Sequence, residues 1–165
     1  MVEMKVSGVI LDSQSRHPIV MLRDMEERRA LLIWIGEPEA NSILMALEGI
    51  KPPRPLTHDL LQNVLTQLAA PLQRVVITEM RDQTFFAELE CDRDGTKLTI
   101  DARPSDAIAL ALRAGASIFV SNDVMAANAI MINQAENEGE VEDDEKFKEF
   151  LQNVKPGDFE KFSKD

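Results

Sequence analysis

Two segments of this chain combine an arginine, a proline, a hydroxyl and an acid: Arg54-Pro55-Leu56-Thr57-His58-Asp59 and Arg103-Pro104-Ser105-Asp106. Proline suits the first turn of a helix, so each segment reads as a helix start. A helix start presents N–H groups with no intrahelical partner and the positive end of the dipole. With a guanidinium and a hydroxyl beside it, such a start can hold a phosphate. Asp59, Asp101 and Asp106 offer the carboxylate oxygens that Mg²⁺ or Mn²⁺ prefers. His58 suits proton transfer near neutral pH. The candidate catalytic residues are therefore Asp106, Asp59, His58 and Asp101, with Arg54, Arg103, Ser105, Thr57 and Arg113 to bind substrate. Asp59, Asp101 and Asp106 are the candidate metal ligands. The chemistry these types suit is metal-assisted hydrolysis of a phosphodiester, in which an ion activates water and arginines stabilise the developing charge. The same residues also have a purely structural reading. Thr57 and Ser105 are ordinary N-caps, the acids complement helix dipoles, and the arginines pair with the acids. A non-catalytic module using the same pocket for an anionic ligand or a protein partner is the competing function.

The elements that must position these residues follow from hydrophobic pattern. Residues 104–114 are apolar nearly all round and end at Gly115, which predicts a helix buried on most sides, with Ala107, Ile108, Leu110, Ala111 and Leu112 in the core. Residues 2–11, 18–23 and 29–35 read as strands, followed by a helix over 39–48 that begins after Pro38 and stops at Gly49. Lys51-Pro52-Pro53-Arg54-Pro55 is a stiff connector, because three prolines remove donors and fix φ. Thr57 then caps a helix with Leu60, Leu61, Val64, Leu65 and Leu68 at helical spacing, ended by Pro71. Strands over 72–79, 84–91 and 97–101 follow, the last two joined by an Asp94-Gly95 hairpin, and 117–121 is a short final strand. Val124–Ile132 reads as a short helix or an edge segment.

A shift of 66 residues aligns the two halves: Val9-Ile10-Leu11 falls on Val75-Val76-Ile77, Pro38 on Pro104, Leu44 on Leu110 and Gly49 on Gly115. Three strands, a proline-started helix and a glycine stop recur at one offset, as an internal duplication would produce. The expected fold is α+β: duplicated β-β-β-α units forming packed, barrel-like mixed sheets with flanking helices. Glu37 and Glu39 occupy the places of Arg103 and Ser105, so the first unit lacks the Arg-Pro-Ser pattern. The expected domain covers 1–124, and 125–165 form an acidic linker and a C-terminal amphipathic helix carrying Phe147, Phe150, Leu151 and Val154, which docks on its own domain.

The formal net charge of −11 is uneven: residues 1–121 hold 13 of the 18 Lys and Arg and 17 of the 29 Asp and Glu, and all ten arginines. The body is nearly balanced and has no basic face of the kind a nonspecific DNA binder carries. No apolar run is long enough to span a bilayer, and Met1-Val2-Glu3-Met4-Lys5 lacks the layout of a secretory leader. The single Cys91 has neither a disulfide nor a metal-site partner, which fits a reducing, cytoplasmic setting. Phosphate loops, dinucleotide fingerprints, zinc motifs and nucleophile elbows are all missing.

Arg54-Pro-Leu-Thr-His-Asp-Leu-Leu61, Arg74-Val-Val-Ile77, Phe85-Phe-Ala87 and Asp101-Ala-Arg-Pro-Ser-Asp-Ala-Ile-Ala-Leu-Ala-Leu-Arg113 together resemble the bifunctional nuclease domain family, from about Met4 to Val124. The resemblance implies an α+β domain, often a homodimer, with DNase and RNase activity as in plant members, and hence nucleic acid as a partner. It supplies no catalytic residue set.

Overall fold

The computed structural model describes residues Met1–Ile132, which form one unit. The acidic linker and the C-terminal helix expected beyond it lie outside the described residues. Twelve elements follow in order: β1 (Val2–Leu11), β2 (Pro18–Asp24), β3 (Arg29–Trp34), α1 (Glu37–Leu47), α2 (Thr57–Gln67), β4 (Leu72–Arg81), β5 (Thr84–Arg93), β6 (Thr96–Ala102), α3 (Pro104–Ala114), β7 (Ser117–Val120), α4 (Asn122–Asn128) and β8 (Ile130–Met131). The expected α+β class is what forms, and three strands followed by an 11-residue helix occur twice in the order.

β1-β2-β3 and β4-β5-β6 are antiparallel meanders. The short strand β7 joins them, pairing antiparallel with β1 and parallel with β4. The result is one eight-stranded sheet in the order β6-β5-β4-β7-β1-β2-β3-β8. Its ends, β6 and β8, do not pair, so the sheet is open and the barrel-like closure expected from the sequence does not form. Closure needs strands tilted and sheared so that the edges meet. Here β8 has only two residues, and every residue of β6 is partly or fully exposed.

Turn chemistry sets the meanders. Asp94 and Gly95 have φ of 53° and 80°, both left-handed, as a two-residue hairpin of the type I′ kind requires. The β4–β5 turn does the same with Asp82 and Gln83, at φ 49° and 60°, without a glycine. Between β2 and β3 the buried Asp24 accepts from the Arg28 and Arg29 amides at 2.8 and 3.2 Å and from Arg29 Nε at 2.9 Å. The segment after β7 supplies both readings offered for it: α4, where Ser121 Oγ accepts from the Val124 amide, and β8, which extends the sheet from β3.

α3 packs between α1 and α2 and against β4, β5 and β7. Ala107, Ile108, Ala109, Leu110 and Ala111 are fully buried, whereas Leu112 is only half-buried. The helix stops at Gly115, whose φ of 65° admits no side chain without strain. α2 departs from expectation. Of its apolar residues only Leu65 is buried, and Leu60, Leu61, Val64 and the C-capping Leu68 are exposed.

Leu110→Ala removes a side chain with no exposure. It is expected to cost about 2–5 kcal/mol in chemical denaturation. A loss under about 1 kcal/mol would show that α3 is not the packing centre.

Candidate functional site at the start of helix α3

One imidazole ties the three long helices together. His58 sits in the first turn of α2 and is 8% exposed. Its Nδ1 lies 2.8 Å from Ser42 Oγ on α1, and its Nε2 lies 2.9 Å from Asp106 Oδ1 on α3. A carboxylate only accepts, so Nε2 carries the proton. In the neutral ring Nδ1 then accepts from the Ser42 hydroxyl. The Asp106 carboxylate takes a second bond at Oδ2 from Arg103 Nε, 2.7 Å away, and Arg103 Nη2 reaches Glu39 Oε1 at 2.8 Å. Burial pushes the Asp106 carboxyl up, but the bonds from Arg103 and His58 outweigh it and hold the group below its ordinary value. Asp106 and Glu39 hold the Arg103 guanidinium more firmly protonated still.

A second cross-link lies beside the first. Arg113, whose side chain is 9% exposed, donates from Nε to Asp59 Oδ1 at 2.6 Å. Its Nη1 donates to the carbonyls of Ala109 and Ser42 at 2.8 and 3.2 Å. Asp59 Oδ2 accepts from the Leu56 amide at 2.9 Å, which caps α2. The expected cap, Thr57, is instead the first helical residue and is exposed, because the acid three residues past the N-cap reaches back to the free amide. Burial raises the Asp59 carboxyl, and Arg113 and the Leu56 amide more than reverse it.

The two Arg-Pro segments therefore meet, but by exchanging partners: His58 of the first bonds Asp106 of the second, and Asp59 of the first bonds Arg113. Arg54 takes no part. It is exposed and makes no hydrogen bond or ion pair among the described residues. Asp101 sits exposed on edge strand β6, opposite Glu88. Ser105 is 7% exposed, yet its hydroxyl has no hydrogen-bond partner among the described residues. Cys91 is buried in β5, and burial pushes its thiol up, as suits a packing residue.

These positions do not fit a shared divalent ion. Among the described residues, no three His, Cys, Asp or Glu side chains gather where an ion could be held. Both oxygens of Asp106 are taken by His58 and Arg103, and both of Asp59 by Arg113 and the α2 cap. Nor is Ser42-His58-Asp106 a nucleophilic triad in reach of substrate. Ser42 is buried, and neither it nor His58 lines the cleft described next.

Arg103, Pro104 and Ser105 open onto a cleft of about 920 Å³. Its other walls are the end of β3 with Trp34, and the β4–β5 turn with Met80 and Phe85. A separate cleft of about 410 Å³ holds Pro53, Pro55, Asp59 and Arg113. What the first cleft offers is a helix start on one wall and, on the others, aromatic and aliphatic side chains interspersed with the polar His17, Gln83, Thr84 and Asn128. Ser42, Glu39 and Trp34 were not singled out from sequence. Glu39 left a signal, since the offset of 66 puts an acid where the second unit has Ser105, and opposite charge at paired helix starts implies contact.

Replacing Asp59 with Asn leaves the largely buried Arg113 without its counter-charge, an expected loss of about 3–5 kcal/mol in urea denaturation. The Asp59 and Asp106 carboxyls are held below the ordinary 3.8 in the fold. Their contribution is thus complete above that value and is lost as pH falls through the lower, folded values. Stability is expected to decline on the acid side below about pH 4, less steeply in Asp59→Asn. A decline that begins near pH 7 would contradict this assignment.

The profile of the bifunctional nuclease domain matches residues 20–133. A protein of Mycobacterium tuberculosis is 40% identical over 162 residues, covering 95% of this chain and 97% of the relative. Bifunctional nuclease 1 of Oryza sativa subsp. japonica is 30% identical over 128 residues, 74% of this chain and 38% of the plant protein. Bifunctional nuclease 2 of Arabidopsis thaliana is 29% identical over 119 residues, 69% of this chain and 36% of its own length. The helix start and the buried helix behind it, Arg103 to Arg113, lie within every residue range that the profile covers, and the chain belongs to the bifunctional nuclease domain family.

Proposed function

We propose that this chain hydrolyses the phosphodiesters of RNA or DNA at the start of α3. The observation that carries the reading is the Arg103-Pro104-Ser105 wall of the cleft, with the ionised Asp106 held directly behind it. The nuclease names of the plant relatives support it. A phosphate at the helix start meets the amides of Ser105 and Asp106, which precede the first intrahelical bond, from Ala107 N to the Arg103 carbonyl. It also meets the Ser105 hydroxyl and Arg103 Nη1, neither of which has a partner among the described residues. Asp106, bonded through both oxygens to His58 and Arg103, positions the guanidinium from behind the cleft wall, and the attacking water gives its proton to solvent as the new P–O bond forms. The P–O bond to the departing sugar oxygen breaks, and that oxygen takes a proton from solvent. His58 does not touch substrate in this scheme. It fixes the carboxylate and keeps it charged. Arg103 stabilises the charge that grows on the phosphoryl oxygens. No step passes through a metal ion, because the acids are engaged elsewhere.

A second reading, a non-catalytic binding module, is favoured by one observation: both ring nitrogens of His58 and both oxygens of Asp106 already have protein partners. The two readings part on one experiment. Purified chain is incubated with single-stranded RNA and DNA, with Mg²⁺ and with EDTA. The hydrolytic reading expects cleavage that survives EDTA, falls at least about 100-fold in Arg103→Ala for loss of a transition-state contact, and falls less in Asp106→Asn, which only loosens Arg103. Binding without cleavage supports the module. Cleavage unchanged in both variants belongs to a contaminant or to another site.

We also propose that two copies associate through α2. Leu60, Val64 and Leu68 follow one another at four-residue spacing and are exposed, and no charged residue occurs from Leu60 to Leu72. A second copy brings the same uncharged stripe, so the contact itself sets no like charges against one another. Sedimentation at micromolar concentration is expected to give a dimer for the native chain and a monomer for Leu60→Glu. A native chain that sediments as a monomer contradicts the proposal.

A further inference from the structure

The cleft has an aromatic wall that the hydrolytic step does not use. Trp34 is the only tryptophan of the chain, and there is no tyrosine. It is 57% exposed at the end of β3. Phe85, just after the β4–β5 turn, and Pro104 and Ser105, at the start of α3, line the same cleft. Ser105 is more than nine-tenths buried and lines this cleft, and its hydroxyl, without a partner among the described residues, is left free for a polar ligand.

We infer that the cleft is a subsite for one base–phosphate unit of single-stranded nucleic acid: the base stacks on Trp34, and its phosphate meets Ser105 and the start of α3. The inference rests on the hydrolytic reading for its substrate class and adds the strand form and the source of affinity. Stacking requires an unpaired base with an open π-face, which a duplex does not offer, and it is indifferent to base identity. Electrostatics contributes little, because Arg103 is already neutralised by Asp106 and Glu39. Affinity therefore comes from the aromatic wall, with a shallow salt dependence. One phosphate neutralised on a single strand corresponds to a log–log slope near 0.7, against several units for a basic groove.

The test is spectroscopic, since the fluorescence of a lone tryptophan reports this cleft directly. The native chain is titrated with a single-stranded hexanucleotide, the matching duplex, adenosine, adenosine monophosphate and inorganic phosphate. Binding of a labelled hexanucleotide is followed in parallel by anisotropy. Expected are quenching by the single strand alone among the polymers and a salt slope below about 1.5. Trp34→Leu should lose roughly 10- to 100-fold in affinity, with partial recovery in Trp34→Phe. Ser105→Ala should weaken the strand and phosphate while leaving stacking-driven quenching by adenosine in place. Trp34 is largely exposed, so thermal melts of its variants are expected to match the native chain.

Equal quenching by duplex or unchanged affinity in Trp34→Leu each overturns the inference. Cleavage that persists with Trp34→Leu at native affinity defeats the subsite and leaves the hydrolytic reading standing. Trp34-dependent binding without any cleavage does the reverse.

Discussion

The deep burial of α3 governs the rest of this molecule. Seven of its eleven residues are buried, in contact with two helices and three strands. A helix so enclosed can keep charge only at its ends, and charge taken partly out of water must find partners. Asp106 at one end and Arg113 at the other do so, and the partners they find are the residues of the first turn of α2. The motif that looks most like a site is thus first a device for docking one helix against another. The part left over, Arg103 to Ser105, faces the cleft because the remainder of the motif is committed inward.

This division sets what chemistry the corner can support. A carboxylate that accepts two bonds, one from a guanidinium and one from an imidazole, stays ionised and is rigidly held. It is also a poor ligand for an ion, which would compete with the guanidinium and the imidazole for the same two oxygens. An arginine shared between two acids is likewise a precise short-range donor and a weak long-range attractor. The corner therefore suits recognition of a phosphate already brought close by other contacts. Trp34 and Phe85 line the same cleft.

What could be read from sequence divides along physical lines. α3 was legible because burial on all sides leaves an apolar run with no polar face, and its ends were legible because proline and glycine punctuate them. The Asp94-Gly95 turn was legible because its dihedral angles demand such residues. The β4–β5 turn was not: Asp82 and Gln83 adopt the same left-handed angles without glycine, so β4 runs on to Arg81 rather than stopping at Glu79. Periodicity on α2 announced an apolar face but carried no information on what covers it, and most of that face is exposed. Whether eight strands close or stay open depends on edges meeting in space, which no local pattern encodes. Of the candidate site residues, His58, Asp59, Asp106, Arg103 and Arg113 share one network. Ser42, which bonds His58, is a serine mid-helix with nothing in its neighbours to mark it.

The position of β7 bears on how this chain is made. Residues Ser117–Val120 come after both meanders in sequence, yet they occupy the seam between them in space. As the polypeptide leaves the ribosome, β1 and β4 emerge long before the strand that pairs with both. Until then each presents an unsatisfied edge, and α3 has only part of its enclosure. Neither half can finish early, so assembly of the sheet is a single late event with long loops to close. A nascent chain stalled before residue 117 exposes two open strand edges, the form in which holdase chaperones and aggregation compete for it.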